Sequence, residues 1–467
     1  MEIIVIGGGP GGYAAALYAA KRGIKVTLVE KAEIGGVCLN RGCIPTKTIL
    51  HSAKLLHHAK SFASLGINAS VEGVDYARLS ARREEVVSRL RNGVSFLLQK
   101  AGVNVINGTA SFMNAGKLRV NSEEKEMILS ADKILIAAGA IPVAIPVAVI
   151  DGQNIITSDH VLALNELPQS MAIIGGGVIG CEFAQAFARL GCEVMVIEAA
   201  PRLLPGMDAD ISALLRKTLE KDGVKIYLDS EVTEAVKTSK GILVKFRHEQ
   251  KKGIELSAEK LLVAVGRKPE LSNMHLDNVG VDCTGGFIGV DDHMQTNISG
   301  IYAVGDVTNG VRLAHVASYG GIAAVKHMLG EKADSAAGLC IPMCVYTDPE
   351  IACTGLTFDA AKDAGYNCRE GVFPLSANSR AVIENSTDGF AKMILDSDGT
   401  IIGAHLIGQN VTEMISLLGA LINVQTAASD LEQIIFTHPS VSEIISESVF
   451  AADKMALHIP QEPVGFV

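Results

Sequence analysis

Ile3-Ile4-Val5-Ile6-Gly7-Gly8-Gly9-Pro10-Gly11-Gly12 stands near the start of the chain, and its reading decides the fold. Four β-branched residues predict a short buried strand. An alanine-rich stretch over 13–22 predicts a helix, and a second apolar run over 25–29 ends at Glu30. Gly7, Gly9 and Gly12 thus form G-x-G-x-x-G with a strand before, a helix after and an acid further on. Such glycines let a pyrophosphate meet the helix N-terminus, where free N–H groups and the dipole favour an anion. Glu30 would accept from a ribose hydroxyl.

The pattern occurs twice. An apolar run over 171–174 leads into Gly175-Gly176-Gly177-Val178-Ile179-Gly180, a predicted helix reaching 190, and a run over 193–197 that ends at Glu198. Twenty-three positions separate Gly7 from Glu30, and 23 separate Gly175 from Glu198. Two matched strand–helix–strand units predict an α/β fold with two Rossmann-like dinucleotide sites, the second built on Gly175, Gly177, Gly180 and Glu198. A carboxylate at 198 accepts from the ribose 2′-OH of NAD and repels the 2′-phosphate of NADP. Ala199 and Ala200 supply no arginine, so NAD is the expected partner of this second site.

At 467 residues the chain has room for about three domains. Its 47 glycines are roughly a tenth of the residues against a usual ~7%, as expected where backbone must approach ligands closely. The formal charge of −10 argues against nucleic acid. No apolar run reaches the ~18 residues of a membrane span, and no leader precedes the first strand, so a soluble cytoplasmic protein is expected. Nine cysteines, an odd number scattered singly, do not describe a structural disulfide framework.

Two of those cysteines lie in Gly35-Gly36-Val37-Cys38-Leu39-Asn40-Arg41-Gly42-Cys43-Ile44-Pro45-Thr46-Lys47. In a regular helix, residues five apart point roughly 140° from each other, whereas a disulfide needs Cα atoms within about 7 Å. If Cys38 and Cys43 bond, the backbone between them must leave regular helix, and Gly42 and Pro45 mark where. Such a bond would be labile, of the regulatory or catalytic kind. Two unrelated buried thiols are the plain alternative.

This segment resembles the redox-disulfide segment of the pyridine nucleotide–disulfide oxidoreductases, most of all their dihydrolipoyl-oxidising branch. The resemblance spans essentially the whole chain. It implies an FAD domain (1–145 with 268–336), an NAD domain (146–267) and an α+β dimerisation domain (337–467). It implies electron flow from a dithiol through a Cys38–Cys43 disulfide and FAD to NAD⁺, with Cys38 outermost and Cys43 against the flavin. Lys47 and Glu182 would pair beside the flavin. Gly7, Gly9, Gly12, Glu30, Lys47, Ala110, Gly139, Asp306, Leu313 and Ala314 would contact FAD, and Gly266 would join the second glycine loop at NAD.

Between and beyond the two sites the reading is coarser. Helices are expected over 49–62 and 76–100, the latter with arginines on a solvated face, and short strands over 103–106, 117–120, 127–129 and 131–137. Strands over 391–395 and 401–406 open the C-terminal texture. Gly300-Ile301-Tyr302-Ala303-Val304-Gly305-Asp306 reads as a strand with a terminal acid and resembles the family's second flavin motif. Arg312-Leu313-Ala314-His315 resembles its helix start under the flavin ring, although His315 alone reads as a structural histidine. Phe436-Thr437-His438-Pro439-Ser440-Val441-Ser442-Glu443 places a histidine before proline, which disfavours helix there, with Glu443 near enough to orient it. It resembles the family's base, contributed from the other subunit of a homodimer. Ala138, Phe436 and Ala110 depart from common family residues without touching the chemistry.

The expected activity is oxidation of dihydrolipoyl groups on a partner protein of a 2-oxo acid dehydrogenase, acetoin or glycine-cleavage complex, with NAD⁺ as acceptor. The alternatives are another NAD(P)H-dependent disulfide or mercuric reductase of the family, or a non-catalytic flavoprotein subunit. A mercuric reductase would carry paired cysteines at the C-terminus, where this chain reads His458 to Val467 without any. No metal site is expected; Cys340 and Cys344 have a loose spacing without partner ligands, and Cys181 and Cys192 read as core thiols.

Overall fold

The computed structural model describes residues 1–248, 251–332 and 338–460. The expected domain boundary at 336/337 and the tail beyond 460 lie outside the described residues. The chain forms two compact units: Met1–Ile49 with Gly73–Leu167 and Leu262–Gly338, and Leu50–Glu72 with Pro168–Leu261 and the chain from Leu339 on.

The first unit is built on a five-stranded sheet ordered Ile301–Ala303, Lys133–Ile136, Glu2–Ile6, Lys25–Glu30, Asn104–Asn107. Every neighbouring pair is parallel, with Ile4 opposite both Thr27 and Ile134. Parallel strands are covered on both faces, which explains the unbroken apolar run at 3–6. Ile3 and Val5 pack with Ala15, Ala16 and Ala19 of the helix Pro10–Lys21. Ile4 and Ile6 face the other way, onto Phe112, Leu118 and Val120. Those three come from an antiparallel sheet, Thr109–Asn114, Lys117–Asn121 and Glu126–Ser130, whose first strand the sequence reading missed. Strand Ile301–Ala303 joins Lys133–Ile136 across a long sequence gap, as the flavin-motif resemblance requires. Helix Ala314–Met328 follows it and lies against Pro10–Lys21, where a Cβ on Gly321 would stand 2.4 Å from the Gly11 carbonyl oxygen.

In the second unit, Ser170–Ile174, Glu193–Ile197 and Lys225–Tyr227 run parallel, and helix Val178–Leu190 is buried along most of its length. An antiparallel trio, Ser230–Thr238, Gly241–His248 and Lys251–Ala258, follows, unanticipated from sequence. The C-terminal part is an antiparallel sheet ordered Met343–Val345, Glu350–Gly355, Ile401–Gly408, Phe390–Leu395, Arg369–Pro374. Ala352, Met393, Ala404 and Leu406 share its apolar core with Ile415 and Leu418 of helix Val411–Asn423 and Ile445 and Val449 of helix Ile444–Ala451.

A buried ionic cluster fastens the second unit internally. Arg189 reaches Asp348 Oδ2 at 2.6 Å and Asp222 Oδ2 at 2.9 Å. Its side chain is 4% exposed and that of Asp222 3%. Gln185 closes the group, donating to the Asp348 carbonyl and accepting the Asp348 N–H. Lys54 and His58 approach the Asp348 carboxylate from the far half of helix Cys43–Ala59. Burial pushes the Asp348 carboxyl up, but the His58 hydrogen bond and the charges of Lys54 and Arg189 outweigh it and hold it well below the usual range.

Candidate active site

The two glycine loops have the same construction. Gly7 and Gly175 take positive φ, 103° and 109°. Gly9 and Gly177 cap the following helices in extended backbone. A Cβ on Gly12 would lie 1.8 Å from Gly7 O, and one on Gly180 1.9 Å from Gly175 O, so neither position admits a side chain. Around Gly177 a Cβ would meet nothing within 4 Å, and around Gly9 only Gly36 at 3.8 Å. The middle glycine of each loop is therefore open to an approaching ligand.

The terminal acids match as well. Glu30 accepts the Gly8 N–H at 2.6 Å and the Ala32 N–H at 2.8 Å. Glu198 accepts the N–H groups of Gly176 and Ala200, the second at 2.7 Å. A carboxylate has about four acceptor directions, so each acid keeps capacity for ribose hydroxyls. Beside Glu30 a cavity of about 220 Å³ is lined by Ile34, Arg91, Asn92, Ser95 and Asn107, room for the adenosine end of a dinucleotide. None of these was expected at the site: Arg91, Asn92 and Ser95 come from a helix whose arginines read as a solvated face, Asn107 from a strand end, and Ile34 from the turn before Gly35.

The redox segment is two helices broken at one residue. Cys38 lies in Gly36–Arg41, Cys43 opens Cys43–Ala59, and Gly42 between them has φ −144° and ψ −113°. Gly42 is thus the break the spacing demanded. Pro45 is not part of it: it sits in the first turn of the second helix, where a missing N–H costs nothing. The two cysteines stand here as thiols. Cys43 hydrogen-bonds the Cys38 thiol, and that bond, with burial, raises the Cys38 pKa, against the opposing charge of Lys47. Burial raises the pKa of Tyr13, on the helix after the first glycine loop, and Cys38 adds to the rise. The cysteine segment also adjoins the first glycine loop, the Gly35 N–H donating to the Gly8 carbonyl at 2.8 Å.

The other residues expected at the flavin come from later in the chain. Gly139 lies past strand Lys133–Ile136 with φ 77°. Asp306 sits in the turn Gly305–Val307 beyond strand Ile301–Ala303; burial raises its pKa while Arg267 and Arg312 oppose this. Leu313 caps helix Ala314–Met328 and its own N–H donates to the Val311 carbonyl at 3.1 Å, so the helix offers the N–H groups of its first turn from Ala314 on and a positive dipole end. Ala110 is 4% exposed, within the apolar core under the sheet.

In the second unit, Glu182 is 2% exposed and its Oε1 accepts the Tyr346 N–H at 2.9 Å. It lies past the first turn of helix Val178–Leu190, so helix-dipole stabilisation is not what holds it. Gly266, which belongs to the first unit, takes φ 126° with open space where a Cβ would be. His438 is on a bend outside any helix, and its Nδ1 lies 2.9 Å from Glu443 Oε1. Glu443 Oε2 accepts the Ser440 N–H, so the carboxylate is itself held in place. Among the described residues no group of three or more metal-ligating side chains occurs.

Residues 1–321 match the pyridine nucleotide-disulphide oxidoreductases, and 341–449 match the dimerisation domain of that family. The chain belongs to this family. Its relatives include the dihydrolipoyl dehydrogenase of Bacillus subtilis strain 168, 41% identical over 98% of this chain and 100% of that one. The mitochondrial dihydrolipoyl dehydrogenase of Pisum sativum is 37% identical over 98% and 92%. Among solved structures, LpdA from Mycobacterium tuberculosis aligns with a TM-score of 0.90 at 28% identity, covering 96% of this chain and 99% of that one. RclA from Escherichia coli, a HOCl-induced flavoprotein disulfide reductase, aligns at 0.85 and 32% identity, covering 96% and 99%. The cofactors of this oxidoreductase are FAD and NAD, and the two open glycine loops with their hydrogen-bonded acids fit two dinucleotides. No helix among the described residues is long and apolar enough to cross a membrane.

Proposed function

We propose that this oxidoreductase is a dihydrolipoyl dehydrogenase, oxidising protein-bound dihydrolipoyl groups with NAD⁺. The observation that carries the reading is the conjunction of a hydrogen-bonded cysteine pair beside the first dinucleotide loop with a carboxylate-held histidine on the dimerisation domain. Full-length similarity to dihydrolipoyl dehydrogenases supports the substrate.

His438, its Nδ1–H directed at Glu443, offers Nε2 as a base and takes a proton from one substrate thiol. The resulting thiolate attacks Cys38 Sγ of the oxidised pair, breaking the Cys38–Cys43 bond and releasing Cys43 as thiolate. The second substrate thiol then closes the substrate disulfide and frees Cys38. Bound FAD supplies the two-electron relay from the reduced pair to the nicotinamide. In sum, one dithiol and one NAD⁺ give one disulfide, one NADH and one proton. Lys47, whose charge favours thiolate at the pair, would pair with Glu182 beside the flavin. Gly7, Gly9, Gly12, Glu30, Ala110, Gly139, Asp306, Leu313 and Ala314 would hold FAD; Gly175, Gly177, Gly180, Glu198 and Gly266 would hold NAD.

The dimerisation domain supports a homodimer, and exposed Ile383, Val424, Ile435 and Leu457 give its surface apolar area to bury. In that dimer His438 would serve the partner's cysteine pair. The complex served would be a cytoplasmic 2-oxo acid dehydrogenase, acetoin or glycine-cleavage system. The FAD, NAD and dimer segments would divide at 145, 267 and 336.

The test is anaerobic assay of the yellow purified protein with dihydrolipoamide and NAD⁺. NADH should appear, and Cys38→Ser and Cys43→Ser should abolish it. Efficient NADPH-dependent reduction of glutathione disulfide or mercuric ion, with no dihydrolipoamide oxidation, would assign a different family activity.

A further inference from the structure

Arg41 lies between the two redox cysteines on helix Gly36–Arg41, and no step above uses it. Its Nη1 is 3.7 Å from Asp159 Oδ2. The other oxygen of the same carboxylate is 3.9 Å from Nη1 of Arg267 and within reach of the Ser158 hydroxyl. One acid in the short helix Ser158–Val161 thus faces two guanidinium groups.

The two cations differ in how they are held. Arg267 is 16% exposed; it donates from Nη2 to the Ala140 carbonyl, and strand Arg267–Pro269 pairs with Ala140–Pro142. Its charge lies within the field of both Cys43 and Asp306, and its own carbonyl accepts from Arg312 at 2.9 Å. Arg41 is 49% exposed and stands three residues from Cys38, on the same helix face. Asp159 is itself kept in place by its helix, where Thr157 and His160 form a capping box.

We propose that Asp159 is a positioning residue for the redox pair: by bridging Arg41 and Arg267 it offsets their charge and sets how readily reduced Cys38–Cys43 keeps a thiolate. The inference rests on the pair being redox-active, as proposed above. Lys47 and Tyr13 lie in the field of Cys38, Arg267 lies in that of Cys43, and Arg41, Asp159, Asp306 and Arg312 surround Arg267. Asp159 is the carboxylate shared between Arg41, on the helix that carries Cys38, and the half-buried Arg267, whose charge interacts with Cys43. Without its charge Arg267 stays where the Ala140 carbonyl and its strand hold it, Arg41 turns to solvent and is screened, and the surroundings become more positive.

The experiment uses the FAD-loaded enzyme reduced by one equivalent of NADH. Two readouts are followed against pH: the long-wavelength band between thiolate and flavin, and the rate of alkylation by iodoacetamide. In Asp159→Asn the thiolate should persist to lower pH, with alkylation at least about threefold faster at a fixed pH below the wild-type midpoint, equal to about half a pH unit. Asp159→Glu should behave as wild type, and Arg41→Gln should move the midpoint upward. An unchanged or raised midpoint in Asp159→Asn overturns the proposal. If that variant does not fold, an Arg41→Gln midpoint equal to wild type overturns it instead. Absence of the band and of reactive thiols in the wild-type protein would instead refute the redox pair itself.

Discussion

His438 Nδ1 and Glu443 Oε1 stand 2.9 Å apart, in a pair whose imidazole is 70% exposed and whose carboxylate is 26% exposed. The acid is anchored by the Ser440 N–H and the ring reaches outward, so Glu443 sets the direction of His438, the proposed base. Glu443→Gln keeps the shape and loses the charge. Dithiol oxidation should fall about tenfold or more, yet less than on loss of the ring, which a general base sets at about 10²–10⁴-fold. Steady-state rates of both variants with dihydrolipoamide check the order.

The twin glycine loops make separable predictions. Gly12→Ala drives a methyl into Gly7 O and should yield protein without flavin. Gly180→Ala drives one into Gly175 O and should leave the protein yellow, with flavin reduction by NADH severely weakened. Visible absorbance and NADH titration separate the two.

The proposed NAD site assigns the choice of nicotinamide cofactor to Glu198. NADH should reduce the flavin at far lower concentration than NADPH. Replacing Glu198 with Ala and Ala199 with Arg should narrow the gap, because the carboxylate that repels a 2′-phosphate is gone and a cation takes its place. Equal efficiency in the unmutated protein would refute this role.

Arg189→Met leaves Asp348 and Asp222 buried without their main cation, and breaking such a pair costs about 3–5 kcal/mol. Chemical denaturation should show the loss. Because the Asp348 pKa is depressed in the folded state, its share of stability is full above the unfolded value of about 3.9 and is lost as pH falls through the folded value. In Asp348→Asn that part of the acid dependence should vanish.

Much of this was legible because the chemistry imposes local rules. Gly7 and Gly175 are required by positive φ and Gly12 and Gly180 by close backbone approach, Gly9 and Gly177 between them leave open space, and a single strand–helix–strand unit contains both signal and context. A bond between Cys38 and Cys43 would require a break in the helix, marked in the sequence by Gly42 and Pro45, and the break lies at Gly42 alone. What stayed hidden is what depends on distant pairing. Strand Thr109–Asn114 buries only Ala110 and Phe112 fully, too sparse an alternation to read. The cavity residues Arg91 and Asn92 lie on a helix whose charges suit solvent equally well. Asp159 carries no motif at all, and only the fold brings it between Arg41 and Arg267.

Shared active sites should also complement. Chains bearing His438→Gln, mixed and exchanged with chains bearing Cys38→Ser, form heterodimers in which one site carries both lesions and the other neither. Activity should return to as much as one working site per heterodimer. None after verified exchange would refute a site completed by the partner.

The most direct measurement of the central claim is rapid-reaction spectroscopy of His438→Gln, each half of the reaction followed alone. Reduction by dihydrolipoamide needs a thiol proton removed and should slow by about 10²–10⁴-fold. Reduction by NADH needs no such base and should be slowed far less. Equal slowing of both halves, or no slowing of the dithiol half, would contradict the account.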